Sequence, residues 1–341
     1  MSLDLPFIWA GIIAVAVLLY VLLDGFDLGV GILFPLARGP QERTAMMNSI
    51  APVWDGNETW LVLGGGGLFA AFPKAYATLL PALYLPVYLM LFALILRGVA
   101  FEFRLRGRRR GKAFWTAAFA GGSTVAAFAQ GLVLGGFIQG VKVRDGAFAG
   151  GPFDWLTPYT LLVACGLVVG YALLGGGWLV LKSEGRLYRD AKRWTGWAAG
   201  LTGGLLALVS LATLLAHPQV AERWGLSGAG IDWLRLMRRL PIPLLGALGL
   251  TVVAAALKRG SHRGPYAGGV LVFLSGYLGL AAGFFPYVVP YALSFRDAAS
   301  TDNALELLLG GVCIMLPLIL GYAAWVYWLF RGKVGGDADY H

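Results

Sequence analysis

Nine apolar runs, each long enough to cross a bilayer as a helix, alternate with short polar connections along the 341 residues. About 20 apolar residues span the hydrocarbon core. The runs lie near 7–33, 49–72, 79–103, 113–139, 157–182, 194–215, 240–257, 266–286 and 306–330. The first exceeds what a span needs, so it tilts or runs past the headgroups. Charged residues make up only 13% of the chain, against about 25% in a soluble domain. The expectation is an all-α polytopic membrane protein, a single integral membrane domain over 1–341.

The formal charge of +9 does not imply a nucleic-acid partner, because the basic residues cluster in the short connections. Of the 27 Lys and Arg residues, 18 fall in the connections near 37–48, 104–112, 182–193, 258–263 and 331–333, and 8 in the alternate set. The first set is read as cytoplasmic, with the run Arg104 to Arg110 its strongest anchor. Nine spans then put the N-terminus outside and the C-terminus in the cytoplasm. The N-terminus lacks a basic leader and a small-residue cleavage site, so its first run reads as a retained helix. One outer connection dissents: 217–239 carries Arg223, Arg235, Arg238 and Arg239 among Trp and Leu residues. It reads equally as an amphipathic helix on the outer face or a solvated loop.

The apolar runs contain acids. Asp24 and Asp27 are spaced i, i+3 in the first span, and so are Asp55 and Glu58 in the second. Each pair shares a helix face, and consecutive antiparallel spans can bring the two faces together. Glu102 and Arg97 lie toward the cytoplasmic end of the third span. An acid at the centre of a spanning helix costs roughly 2.5–3.5 kcal/mol to insert, so its default reading is functional. Five acids exceed one base, so some carboxyls hold protons or water. Asp24, Asp27, Asp55 and Glu102 are expected to line a hydrophilic path open to the cytoplasm. The plainer alternative is a buried ion-pair network, with Arg97 as counter-ion, that fastens three helices. A proton-coupled secondary transporter would use the same materials, but no internal repeat is visible.

Glycine pairs at Gly25/Gly29, Gly131/Gly135, Gly136/Gly140 and Gly196/Gly200 suit close helix packing, and the runs 64–67 and 175–177 read first as close packing and second as room for a ligand or a partner helix. Cys165 and Cys313 read as small core residues. His217, His262 and His341 fall in connections or at the terminus, so the chain offers no bis-His haem arrangement. No metal or haem is expected in this chain, and a redox role would place the metals in a partner.

The blocks Leu23-Asp24-Gly25-Phe26-Asp27-Leu28-Gly29-Val30-Gly31 and Asn48 to Leu61, which contains Trp54-Asp55-Gly56-Asn57-Glu58-Thr59-Trp60, resemble subunit II of the cytochrome bd quinol oxidases. Leu96 to Arg104, Gln130-Gly131, Phe285 to Pro290 and Ala324 to Lys333 match as well, so the resemblance covers the whole chain. The WDGNETW form is also similar to the branch called cyanide-insensitive. The resemblance implies a bacterial inner-membrane terminal oxidase that oxidises quinol and reduces oxygen to water. Its fold would be two four-helix bundles plus one peripheral helix, the first bundle about 1–139, the second bundle and the peripheral helix about 157–331. Subunit I, the expected partner, would carry haem b, haem d and the quinol site. In that family a proton path uses acids matching Asp27, Asp55 and Glu102, with Asp24 adjacent, and an oxygen route passes near Trp60. Trp54 and Trp60 face either the partner or the core of the second span. A small single-helix subunit and a structural quinone are further partners that the family admits. The role implied for this chain is to stabilise subunit I and line its proton supply.

Overall fold

A computed structural model describes residues 4–106, 109–228 and 230–334, the side chains of 105–110 excepted. Much of the basic run Arg104 to Arg110, and His341, therefore lie outside the described residues. Thirteen helices follow in chain order: α1 Leu5–Leu33, α2 Pro40–Ile50, α3 Trp54–Ala71, α4 Pro73–Arg106, α5 Arg109–Gln139, α6 Pro158–Lys182, α7 Gly185–Ala216, α8 Pro218–Arg223, α9 Trp233–Arg239, α10 Pro241–Arg259, α11 Gly264–Phe284, α12 Phe295–Ala298 and α13 Asp302–Leu329. Three two-stranded antiparallel ribbons decorate the connections after α5, α8 and α11.

Eight helices among the described residues are long and apolar enough to cross a membrane. α3 is not among them, because Asp55, Asn57 and Glu58 crowd its first turns. The run expected over 49–72 is in fact broken. Pro52 has no N–H for the helical ladder, the Val53 N–H turns back to Ile50 O, and Val53 leaves helical geometry at φ −127. The second departure is in α4, which extends the third run to 34 residues and kinks at Leu83 between Pro81 and Pro86.

Local signals set the helix ends. Asp4 caps α1 by accepting from the Phe7 N–H, and Pro6 occupies its first turn. Thr157 and Thr160 form a reciprocal capping box on α6. α10 stops at Gly260, which adopts φ +71.

α1 and α6 form the centre of the molecule. They approach so closely that a Cβ on Gly29 would lie 1.9 Å from Tyr171 O, and one on Gly175 would lie 2.3 Å from the Gly29 carbonyl carbon. Phe26 stacks on Trp178 beside this crossing, ring centroids 4.1 Å apart. α3 and α5 pack on α1, α5 and α11 pack on α6, and α4 packs on α5. Gly131 and Gly135 bring α5 onto Ala164 and Thr160 of α6 in the same way. Gly196/Gly200 does not behave so, since Gly200 meets nothing within 4 Å. The run 175–177 is wholly packed, whereas Gly65 and Gly66 face open space.

Cys165 and Cys313 are exposed, not core residues. An apolar neighbourhood signals burial in a soluble protein, but in a membrane chain the outer surface is apolar too. Phe92 and Leu307, 70% and 81% exposed, illustrate that outer surface. The connection 217–239 is neither one amphipathic helix nor a plain loop. It forms α8, a ribbon and α9.

Candidate functional site

The site follows from the phase of α1. At 100° per residue Asp24 and Asp27 share one face while Gly25 and Gly29 share the next. The glycines let α6 press against α1, and the acids turn toward α3 and α4. Both carboxylates are fully buried, and Arg97, from the interior of α4, is 1% exposed.

Arg97 Nη1 donates to Asp24 Oδ1 at 2.8 Å and to Glu58 Oε1 at 2.9 Å. One guanidinium thus joins α1, α3 and α4. Its carbon lies 5.9 Å from the Trp54 ring centroid, and Trp54 in turn packs on Phe101 at 5.1 Å. Asp27 has a different partner: Asn57 Nδ2 donates to Asp27 Oδ2 at 2.7 Å. Asn57 Oδ1 accepts from the Tyr327 hydroxyl of α13 at 2.9 Å. A second chain of bonds flanks the acids. Tyr171 OH donates to Gln130 Oε1 at 2.8 Å, and Gln130 Nε2 donates to Tyr20 OH at 2.6 Å, one turn before Asp24.

Two carboxyls, Asp24 and Glu58, therefore share one cation, and Asp27 is held beside them by Asn57. Removing several charges from water together costs several kcal/mol per ion unless partners compensate. An assembly with two more acids than bases, linked by short hydrogen bonds, is suited to holding and passing a proton.

The expected acids separate into two groups. Asp24, Asp27 and Glu58 gather around Arg97, and the side chain of Glu58 keeps 27% of its surface. Asp55 and Glu102 lie at the surface of the chain. Trp54 borders the cluster, whereas Trp60 is 2% exposed and packs with Ala16 and Tyr20. Trp60 also lines an apolar cleft of about 280 Å³ between α1, α3 and α13, with Ile12 and Leu316 opposite. Asn57, Tyr20, Gln130, Tyr171 and Tyr327 belong to the site, yet none stood out in the sequence as a site residue. Among the described residues no group of three or more His, Cys, Asp or Glu is placed to hold a metal ion. His217 packs beside Tyr159 and Tyr291, and His262 hydrogen-bonds Val180 O.

The family model for cytochrome bd terminal oxidase subunit II matches residues 5–330. The chain belongs to that family. It is 29% identical to cytochrome bd-I ubiquinol oxidase subunit 2 of Escherichia coli strain K12, an alignment covering 97% of this chain and 95% of the relative. It is 30% identical to a probable cytochrome oxidase subunit 2 of Haemophilus influenzae, covering 98% and 96%. The bd oxidase structure from Geobacillus thermodenitrificans contains a chain that superposes with TM-score 0.79 at 16% identity, over 97% of this chain and 100% of that one. At that identity the likeness shows the fold. As a cytochrome bd subunit II, the chain works with subunit I in a quinol:oxygen oxidoreductase complex, and its apolar helices make it a multi-pass membrane protein. The assignment does not favour the transporter alternative.

Proposed function

We propose that this subunit II delivers cytoplasmic protons toward the haem site of subunit I, through the acids gathered at Arg97, and braces that partner. The observation that carries the reading is a gradient of exposure along interacting carboxyls. Asp55 is exposed, Glu58 one turn later is partly covered, and Asp24 and Asp27 beyond it are sealed. A proton entering from water would meet these groups in that order. Glu102, near the same end of α4, is a second surface acid at the mouth. The fold in this reading has nine crossings, with α3 supplying the ninth despite its polar first turns, in bundles of about 1–139 and 157–331 with the N-terminus outside.

Haem b and haem d belong to subunit I in this reading, and oxygen is reduced there. They would supply electron transfer and oxygen chemistry when bound, while the residues here hold and move protons. Electrons arriving from outer-face quinol and protons arriving from the cytoplasm would separate charge without pumping. The apolar cleft at Trp60 suits a nonpolar guest such as oxygen or a quinone tail, and a small single-helix subunit would complete the assembly.

The test is steady-state quinol oxidation by the coexpressed complex. Asp27→Asn keeps the shape and hydrogen-bonding reach of the side chain but cannot carry a proton. Turnover should fall roughly 10²-fold with haem d content unchanged. Full turnover in Asp27→Asn would remove the acids from the proton supply.

A further inference from the structure

α9 is amphipathic, and none of the described residues covers its outer side. None of its residues is buried, and Trp233, Leu234 and Met237 are 66%, 64% and 64% exposed. On a helical projection these three occupy one arc with Leu240, while Arg235, Arg238 and Arg239 occupy the opposite one. Leu236, at the edge of the apolar arc, is half-buried and marks the side that faces the protein.

Its depth in the membrane follows from length. α9 and α10 follow one another as a single candidate span of 27 residues, Trp233–Arg259. That is about 40 Å of helix against about 30 Å of hydrocarbon. α10 alone, with 19 residues, supplies about 28 Å. α9 therefore sits at headgroup level, at the end of the fold opposite Lys258 and Arg259.

Charge at that level is unbalanced. Arg223, Arg235, Arg238 and Arg239 share the segment with two acids, Glu222 and Asp232. Asp232 pairs with Arg235 at 3.2 Å. Arg239 donates to Ala282 O at 3.1 Å and Arg223 to Phe285 O, both carbonyls at the end of α11. Arg238 is exposed and has no ion pair or hydrogen-bond partner among the described residues. These arginines also break the pattern by which the basic residues gather in the other set of connections. An arginine there is favourable where phosphate is available to it.

We propose that α9 is a binding surface for anionic phospholipid, its arginines taking the lipid phosphate and Trp233, Leu234 and Met237 entering the acyl boundary. A free anion would need no apolar arc beside the guanidiniums. A water-exposed loop would not present three large apolar side chains.

The test uses the complex with subunit I in nanodiscs holding equal phosphatidylglycerol and phosphatidylcholine, with a benzophenone amino acid introduced at Trp233. After irradiation the adducts are identified by mass spectrometry. Phosphatidylglycerol adducts should exceed phosphatidylcholine adducts by about fivefold for each guanidinium engaged. Arg235→Gln with Arg238→Gln should bring the two lipids level without loss of haem. Equal adducts in the parent chain, adducts mainly to protein, or displacement of phosphatidylglycerol by inorganic phosphate would each overturn the proposal.

Discussion

Asn57 holds the buried carboxylate of Asp27 through a 2.7 Å hydrogen bond and is itself held by the Tyr327 hydroxyl at 2.9 Å. α13 otherwise buries only Leu305 and Val326, so this link is a principal tie between the last helix and the acids. Tyr327→Phe removes one hydrogen bond and should lower stability by about 0.5–1.5 kcal/mol. Asn57→Leu strands a buried carboxylate oxygen and should cost more, about 1–3 kcal/mol. Thermal melting of the complex compares the two, and the reverse order would mean that Asn57 does not hold Asp27.

Arg97 is shared by Asp24 and Glu58 through the same nitrogen. Arg97→Leu leaves two buried or half-buried carboxyls without a cation, and breaking such a pair costs about 3–5 kcal/mol. The yield of haem-loaded complex should collapse. Arg97→Lys keeps the charge but not the planar fork, so it should recover part of that yield. Equal loss in both variants would show that shape, not charge, is what the site requires of Arg97.

The crossing of α1 and α6 tolerates no added carbon. In Gly29→Ala or Gly175→Ala the new methyl would meet backbone, not a movable side chain. Each change should push the helices apart and prevent folding of the complex, whereas Gly65→Ala, with nothing within 4 Å, should be silent or slightly stabilising. Membrane expression levels distinguish the two cases.

His217 lies beyond the end of α7, and burial holds its imidazole below its ordinary value of 6.5. As pH falls through about 6.5 the unfolded chain takes up a proton that the folded chain refuses, so stability declines. Above that pH the group contributes no pH dependence. The melting temperature should therefore drop between about pH 7 and pH 5, and His217→Phe, which keeps the aromatic contacts with Tyr159 and Tyr291, should flatten that part of the profile.

Much of the site was legible because lipid makes charge expensive. Asp24, Asp27, Glu58 and Arg97 stood out as ionisable groups in apolar runs, and the i, i+3 spacing on α1 placed both acids on the face that meets α3 and α4. Asp55 and Glu102 carried the same signal but lie at the surface, because Asp55 sits in the first turn of α3 and Glu102 close to the end of α4, where the helices emerge from the packed interior. The uncharged members were hidden for another reason. Tyr171, Gln130 and Tyr327 reach the acids or their neighbours from α6, α5 and α13, and a lone Tyr or Gln in an apolar run costs too little to announce itself. Cys165 and Cys313 were misread because hydropathy does not distinguish the core of a membrane protein from its lipid-facing side. The break at Pro52 was visible as a proline, but the apolar residues around it concealed the separation of α2 from α3.

Proton uptake during a single turnover tests the central claim most directly. The fully reduced complex is mixed with oxygen, and a pH dye and the haem absorbance are followed together. In Glu58→Gln the uptake phase should slow by roughly tenfold or more while electron transfer among the haems that precedes it keeps its rate. Uptake as fast as in the parent complex, with haem content and stability preserved, would contradict a proton route through the acids at Arg97.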